Sequence, residues 1–317
     1  MLRLVPALLD KRLIFVTGKG GVGKSTVATA LGLVSARRGL RTIVVELARQ
    51  ERVKRAFESS SQAAPMDEAL EEVELAPGLF TISIDPQQAM EEYLRVKTGP
   101  LGQALGSSKL FGAFAMATPG MRELLSIGKV WELAQLQRRT RGAAPYDSVI
   151  VDAPASGHGV GILRTPRTFA EIARVGPIAH QGRTIATTIA DRTFTGFVAV
   201  ATAEEMPVNE TLALRDALAG DQLELDAVIV NARYPERFGP AELTGLRDAL
   251  MRAQTPVGRA ALRAALSEHA RMTVQLEQQA RLCEGLGTAL LELPFVFSDR
   301  LARPELELLA DRLEEQL

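Results

Sequence analysis

Cysteine is nearly absent: Cys283 is the only one in 317 residues. One thiol forms no intramolecular disulfide, and it removes every CxxC zinc site that a single chain could build. A lone cysteine ordinarily packs as a small hydrophobe, so Cys283 reads as a half-buried helix residue. Long hydrophobic runs are missing too; none reaches the 18 or so residues needed to span a bilayer. An excess of charge of one sign is missing. Lys plus Arg number 37 against 38 for Asp plus Glu, which argues against a general nucleic-acid-binding protein, although such a total hides any local basic patch. The first residues lack the polarity of a secretory signal, because Lys11 and Arg12 follow the short apolar stretch instead of preceding it. The expectation is a soluble cytoplasmic protein.

What the chain does have is ordinary globular composition, 46% hydrophobic and 24% charged, which argues against a wholly disordered chain. Its length suits about two domains, or one large α/β domain with an insertion. Short apolar, mostly β-branched runs recur at 13–17, 42–46, 79–84, 148–152, 197–202, 227–231 and 289–295. Such runs suit strands buried on both faces of a parallel sheet. Helical patterns such as Lys24 to Arg38 and Val208 to Ala219 lie between them. The expected fold class is therefore α/β, a right-handed, doubly wound and mainly parallel sheet.

Two intervals break that rhythm. Residues 86–145 are mostly helical in pattern and carry Leu101, Leu105, Leu110, Phe111, Phe114, Met116, Met121, Leu124, Leu125 and Trp131; residues 162–192 form a second helical interval. Together they read as an α-helical subdomain inserted into the connections of a single domain spanning 1–317. A third helical interval, Pro256 to Leu286, precedes the last strand, and Ser59 to Pro65 has the composition of a surface loop.

The sharpest feature is Gly18-Lys19-Gly20-Gly21-Val22-Gly23-Lys24-Ser25-Thr26, which contains GxxxxGK[ST] between an expected strand and an expected helix. At average composition the pattern arises by chance in about one chain per hundred of this length. Its chemistry is that of a phosphate cradle in a P-loop nucleotide hydrolase. Gly18, Gly20, Gly21 and Gly23 let the backbone, Val22 included, approach an anion and turn its N–H groups inward. The helix N-terminus adds partial positive charge at the same place. Lys24 supplies a full charge to the β and γ phosphates, the Ser25 hydroxyl is placed for magnesium, and Thr26 reaches the α phosphate. The apolar run 148–152 ends in Asp152, an acid able to hold magnesium directly or through water.

Lys19 is not needed to cradle phosphate within one chain; taken alone it is an exposed charge on a turn. The whole string, however, resembles the deviant phosphate loop of the partner-activated P-loop ATPases, which include MinD, ParA, the nitrogenase iron protein and ArsA. The resemblance implies a homodimer in which Lys19 reaches the partner's nucleotide and stabilises transition-state charge in trans. Asp152-Ala153-Pro154-Ala155-Ser156-Gly157-His158 resembles the second switch of the ArsA family, which includes the ATPase that targets tail-anchored membrane proteins. By that resemblance Gly157 lets the switch move with the γ phosphate, while His158 also reads as a plain loop histidine. Pro119-Gly120 through Glu123, Glu204 to Thr211, and Leu293-Pro294-Phe295 are similar to further family segments. ATP and Mg are the implied cofactors. Asn231 would read the adenine edge, for which an amide offers both a donor and an acceptor, and Pro294 and Phe295 would close over the base. Adenine over guanine rests on the resemblance, since Asn231-Ala232-Arg233-Tyr234 lacks the Lys and Asp of an NKxD motif.

Departures from the family matter as much. Its first switch reads TDPAHN or similar, where this chain has Val45-Glu46-Leu47-Ala48-Arg49-Gln50. Glu46 is one methylene longer than Asp and is the candidate base or water-orienting group, the alternative being a structural acid at a strand end; Gln50 stands where the family has Asn. The single cysteine removes the metalloid site of arsenite pump subunits, the shared zinc of the eukaryotic tail-anchor factor and any nitrogenase-type cluster. The segment Leu306 to Leu317, with Glu307, Asp311, Glu314 and Glu315, is too acidic for a MinD-like anchor on an anionic membrane. The reading that remains is an ATP-hydrolysing homodimeric switch. Phe111, Phe114, Met116 and Met121 then either form a groove for a hydrophobic client or membrane-protein segment, or pack the insertion's own core. An arsenite-type pump subunit and a ParA- or MinD-like positioning ATPase are the alternatives.

Overall fold

The computed structural model describes residues 8–47, 51–57, 70–94, 118–139, 142–287 and 290–317, without the side chains of 156–158 and 177–178. The expectations placed on Ala48, Arg49 and Gln50, on Ser59 to Pro65, on Leu101, Leu105, Leu110, Phe111, Phe114 and Met116, and on the side chain of His158 lie outside the described residues.

Each apolar run coincides with a strand. The strands are β1 (Leu13–Gly18), β2 (Thr42–Leu47), β3 (Val73–Ala76), β4 (Leu79–Ile84), β5 (Ser148–Asp152), β6 (Thr195–Thr202), β7 (Ala227–Arg233) and β8 (Leu291–Pro294). They form an 8-stranded sheet in the order β3-β4-β2-β5-β1-β6-β7-β8. All of its pairings are parallel except β3 with β4. β3 is the strand that the sequence pattern does not announce. Its four residues, VELA, alternate instead of forming an apolar run, as suits an edge strand with one partner and one covered face.

The helices are α1 (Lys24–Arg37), α2 (Arg52–Phe57), α3 (Met121–Leu133), α4 (Ser156–Ala173), α5 (Pro177–Ala190), α6 (Glu205–Gly220), α7 (Pro240–Arg252), α8 (Pro256–Leu286) and α9 (Arg303–Glu314); residues 86–94 are also helical. The third helical interval is one helix, α8. Thr255 caps it by accepting from the Gly258 N–H, Pro256 opens it, and Gly287 ends it in left-handed backbone at φ 64°. Cys283 lies on α8, but it is exposed and not half-buried. Adjacent helical residues point about 100° apart, and it is Leu282 that faces the core.

The pleat sends alternate residues of each strand to opposite sides, and both sides are covered. Phe15, Ile43, Val45, Val149, Val151, Phe197 and Val230 pack with Ile127 and Val130 of α3, Leu163 of α4, Ile185 of α5 and Val208 of α6. Ile14, Val16, Val44, Ile150, Val198 and Ile229 pack with Val27, Leu31 and Val34 of α1 and with Leu306, Leu309 and Leu313 of α9. Each such side chain contributes about 1.5–3 kcal/mol on leaving water. The acidic C-terminal segment is thus a docked helix. Its apolar stripe recurs at helical spacing, and Asp311 accepts from Arg37 of α1 at 2.5 Å.

Parallel strands direct all their carboxyl ends to one edge. In register, Val16 of β1 and Glu46 of β2 both oppose Asp152 of β5. The turn after β1 and the acids ending β5 and β2 therefore lie side by side.

Candidate functional site

Between the end of β1 and the start of α1, residues 18–23 make a tight turn with no room for two side chains. A Cβ on Gly18, at φ 143°, would sit 2.1 Å from the Val200 carbonyl oxygen, and one on Gly23, at φ 91°, would sit 2.2 Å from Asn231 Nδ2. Gly23 is the N-cap of α1; no side chain caps this 14-residue helix, and its first turn holds no acid. Its partially positive end therefore opens onto the turn. Lys24 Nζ donates to the Lys19 carbonyl oxygen at 2.9 Å, which folds the ammonium back over the turn.

A cavity of about 510 Å³ lies against this turn. Gly20, Gly21, Gly23, Lys24, Ser25 and Thr26 form one wall, Asp152 and Pro154 another, and Glu46, Arg52 and Val53 a third. Ser25 Oγ donates to Asp152 Oδ2 at 2.5 Å. A hydroxyl and a carboxylate side by side are hard oxygen donors of the kind magnesium takes when phosphate and water complete its shell.

Lys24, Asp152 and Glu46 are each pushed toward neutrality. Burial lowers the Lys24 ammonium; Asp152 and Glu210 oppose that and Arg52 adds to it. Burial raises the Asp152 carboxyl despite the Ser25 hydrogen bond and the nearby Lys24 and Arg52 charges. Burial also carries Glu46 up to about 7, opposed by the backbone N–H groups of Arg52 and Val53 and reinforced by Asp152. Glu46 accepts from Arg52 N at 2.9 Å and from Val53 N at 3.4 Å, so its carboxyl is tied to the first turn of α2. An ionised carboxylate has about four acceptor positions, and those two bonds leave it acceptor capacity toward the cavity.

Other residues singled out in the sequence lie apart from this cavity. Asn231 sits behind the turn, where its Nδ2 donates to the Val22 carbonyl oxygen at 2.9 Å. Val22 itself is buried in the core beneath. Pro294 ends β8. Phe295 stacks on Tyr234 with ring centroids 4.8 Å apart, and Phe297 meets Phe295 edge-on. Lys19 Nζ is 2.9 Å from Glu210 Oε1 on α6, with both side chains about one-third exposed. Gly157 falls in the first turn of α4, directly after residues 152–155 of the cavity wall. Sequence reasoning misses two participants. Glu210 belongs to a family-like segment, but nothing local marks it as the partner of Lys19. Arg52 carries no pattern at all and enters the wall because Glu46 holds the start of α2 there.

The sequence profile of the anion-transporting ATPase family matches residues 11–176 and 171–242. ATPase BagA of Mycobacterium tuberculosis is 30% identical over 323 residues, which cover 96% of this chain and 93% of that protein. The arsenical pump-driving ATPase of Acidiphilium multivorum is 25% identical, covering 70% of this chain and 40% of its own length. ATPase GET3 of Komagataella phaffii is 23% identical, covering 69% and 72%.

Proposed function

The chain belongs to the anion-transporting ATPase family and is an ATPase, and from that premise we propose that it acts as a magnesium-dependent homodimeric switch in the cytoplasm, a single ATPase domain whose helical insertion handles a hydrophobic client. The observation that carries this reading is one cavity joining an uncapped helix N-terminus, Lys24 and the Ser25–Asp152 pair. The β and γ phosphates of ATP lie over residues 18–23. Lys24 exchanges the Lys19 carbonyl for phosphate oxygens, and the N–H groups at the start of α1 donate to the same oxygens. Ser25 and Asp152 would hold magnesium, which would supply positive charge to offset that of the phosphates. Glu46 orients the attacking water and takes its proton, a task that its value of about 7 suits. Lys19 leaves Glu210 and reaches the partner's nucleotide, Gly157 lets the second switch follow the γ phosphate, and Asn231, Pro294 and Phe295 receive the adenine.

The client reading is supported by a second, apolar cavity of about 190 Å³ between the helical residues 89–94 and α3, with Met90, Leu94, Met121, Leu124 and Leu125 in its wall. Flexible methionines such as Met90 and Met121 in an apolar wall suit varied apolar partners. ATPase rates paired with sizing in MgATP test the switch. Wild type dimerises and hydrolyses; Asp152→Asn hydrolyses more slowly and needs more magnesium for half-maximal rate; Lys19→Ala falls about 10²-fold or more. Normal hydrolysis by a monomeric Lys19→Ala protein overturns action in trans. A photoreactive group at Leu124 should label a synthetic apolar helix only in ATP, and no labelling in any nucleotide state overturns the client role.

A further inference from the structure

We propose that Arg52 is a second cation of the ATP site, supplied by the same chain, and that its guanidinium contacts the γ-phosphate oxygens. This rests on the placement of ATP over residues 18–23. Arg52 shares the cavity wall with Lys24, Ser25 and Asp152. Its main chain is anchored: Arg52 N donates to Glu46 Oε1 at 2.9 Å, and Glu46, only 3% exposed, stands on β2 in register with Asp152. The sheet thus fixes the point from which the arginine side chain starts, while the side chain itself is exposed. Its charge acts on groups from three separate elements, Lys24 of α1, Glu46 of β2 and Asp152 of β5.

The charges of the wall supply the reason for a second cation. Lys24 already faces Asp152, and a nucleotide triphosphate brings more negative charge than one magnesium ion cancels. A planar guanidinium with paired donors matches two phosphate oxygens at once, which an ammonium does not. Charge in phosphoryl transfer develops on the γ oxygens, so a cation there acts on the transition state as well as on binding. Arg52 also accounts for the acid at position 46. By holding the α2 main chain, Glu46 positions the arginine, and it does so through the backbone N–H groups of Arg52 and Val53, which every substitution of Arg52 except proline keeps.

The test compares Mg-ATP with Mg-ADP affinity by calorimetry, together with kcat, for wild type, Arg52→Ala, Arg52→Lys, Lys24→Ala and, as a same-helix control, Lys54→Ala. Arg52→Ala should weaken ATP about tenfold and ADP less than about twofold, and kcat should fall roughly 10²-fold or more. Arg52→Lys should regain part of the preference for ATP, and Lys54→Ala should match wild type. Equal loss for both nucleotides, or no loss, overturns the proposal. If Lys24→Ala abolishes binding while Arg52→Ala keeps full ATP preference, Arg52 alone is excluded and the site stands. A wild-type protein that binds neither nucleotide sinks both readings.

Discussion

Two groups of buried charge in this protein behave in opposite ways. Around the nucleotide cavity, Lys24, Glu46 and Asp152 are all pushed toward their neutral forms, mainly by burial. Under α3 the reverse holds. Lys129 meets Glu92 at 2.8 Å and Glu132 at 3.0 Å, Arg138 meets Glu132 at 2.9 Å and Glu72 at 2.5 Å, and Tyr146 donates its hydroxyl to Glu72 at 2.7 Å. Burial raises Glu72 and Glu132, but Arg138, Tyr146 and Lys129 more than offset it and hold both carboxyls below their ordinary range. Arg138 is held above its own, because its two carboxylates outweigh burial. The network under α3 already has its partners and works as a clamp. The cavity's charges are destabilised by burial, as suits the proposed binding of phosphates and magnesium there.

Removing a central cation from each group sharpens that contrast. Lys24→Ala should lower ATP turnover at least about 10³-fold, equivalent to roughly 4 kcal/mol of transition-state stabilisation, while leaving the urea midpoint near wild type. Arg138→Ala should do the opposite. Its side chain is 1% exposed between two carboxylates, and breaking a buried pair costs about 3–5 kcal/mol. The urea midpoint should therefore drop sharply while residual folded protein keeps its affinity for ATP. If the two variants lose stability equally, the division between site and clamp is wrong.

Protonation offers a second way to break the comparison. Glu46 rises from 4.5 unfolded to about 7 folded, so across that window the native state holds a proton that the unfolded chain releases. Stability from this group therefore falls as pH rises from about 4.5 toward 7. Glu132 is shifted downward; its contribution is present above the ordinary carboxyl range and is lost as pH falls through the folded value. Glu46→Gln should flatten the first slope and Glu132→Gln the second, as read from urea midpoints between pH 3 and pH 8. The same sign for both slopes would contradict the contrast.

The sequence discloses what local chemistry determines and hides what tertiary pairing determines. The phosphate turn is legible because GxxxxGKS is contiguous and the run ahead of it is apolar from Leu13 to Val16. The strands of the parallel sheet are legible because burial on both faces makes continuous β-branched runs. β3 is not, since an edge strand of four residues needs no such run. The orientation of Cys283 is not, because α8 is polar over most of its length and one residue's rotation decides exposure. The clamp is invisible for a different reason. Glu72 and Arg138 sit among other charged residues that read as surface, Lys129 stands alone in an apolar stretch with no local sign of a partner, and only the packing of α3 against the sheet brings them together. Arg52 joins the site by the same kind of event, through a carboxylate six positions earlier and one strand away.

The smallest effect belongs to the ion pair between the two regimes. Lys19 Nζ lies 2.9 Å from Glu210 Oε1, in partial contact with solvent, so the pair itself is worth at most about 1 kcal/mol. Its importance is competitive. Lys19 is the residue proposed to cross to a partner's nucleotide, and Glu210 holds it within its own chain. Two such pairs break in each homodimer, so Glu210→Ala lowers the cost of that transfer by no more than twice the pair's worth, and dimerisation in MgATP should tighten by up to about 30-fold. The urea midpoint should scarcely move, because an exposed pair contributes little to folding. Sizing at graded protein concentrations measures the first quantity and denaturation the second. A Glu210→Ala protein that dimerises less readily than wild type would mean that Glu210 belongs to the dimer contact itself, and that the ion pair is not a resting place for Lys19.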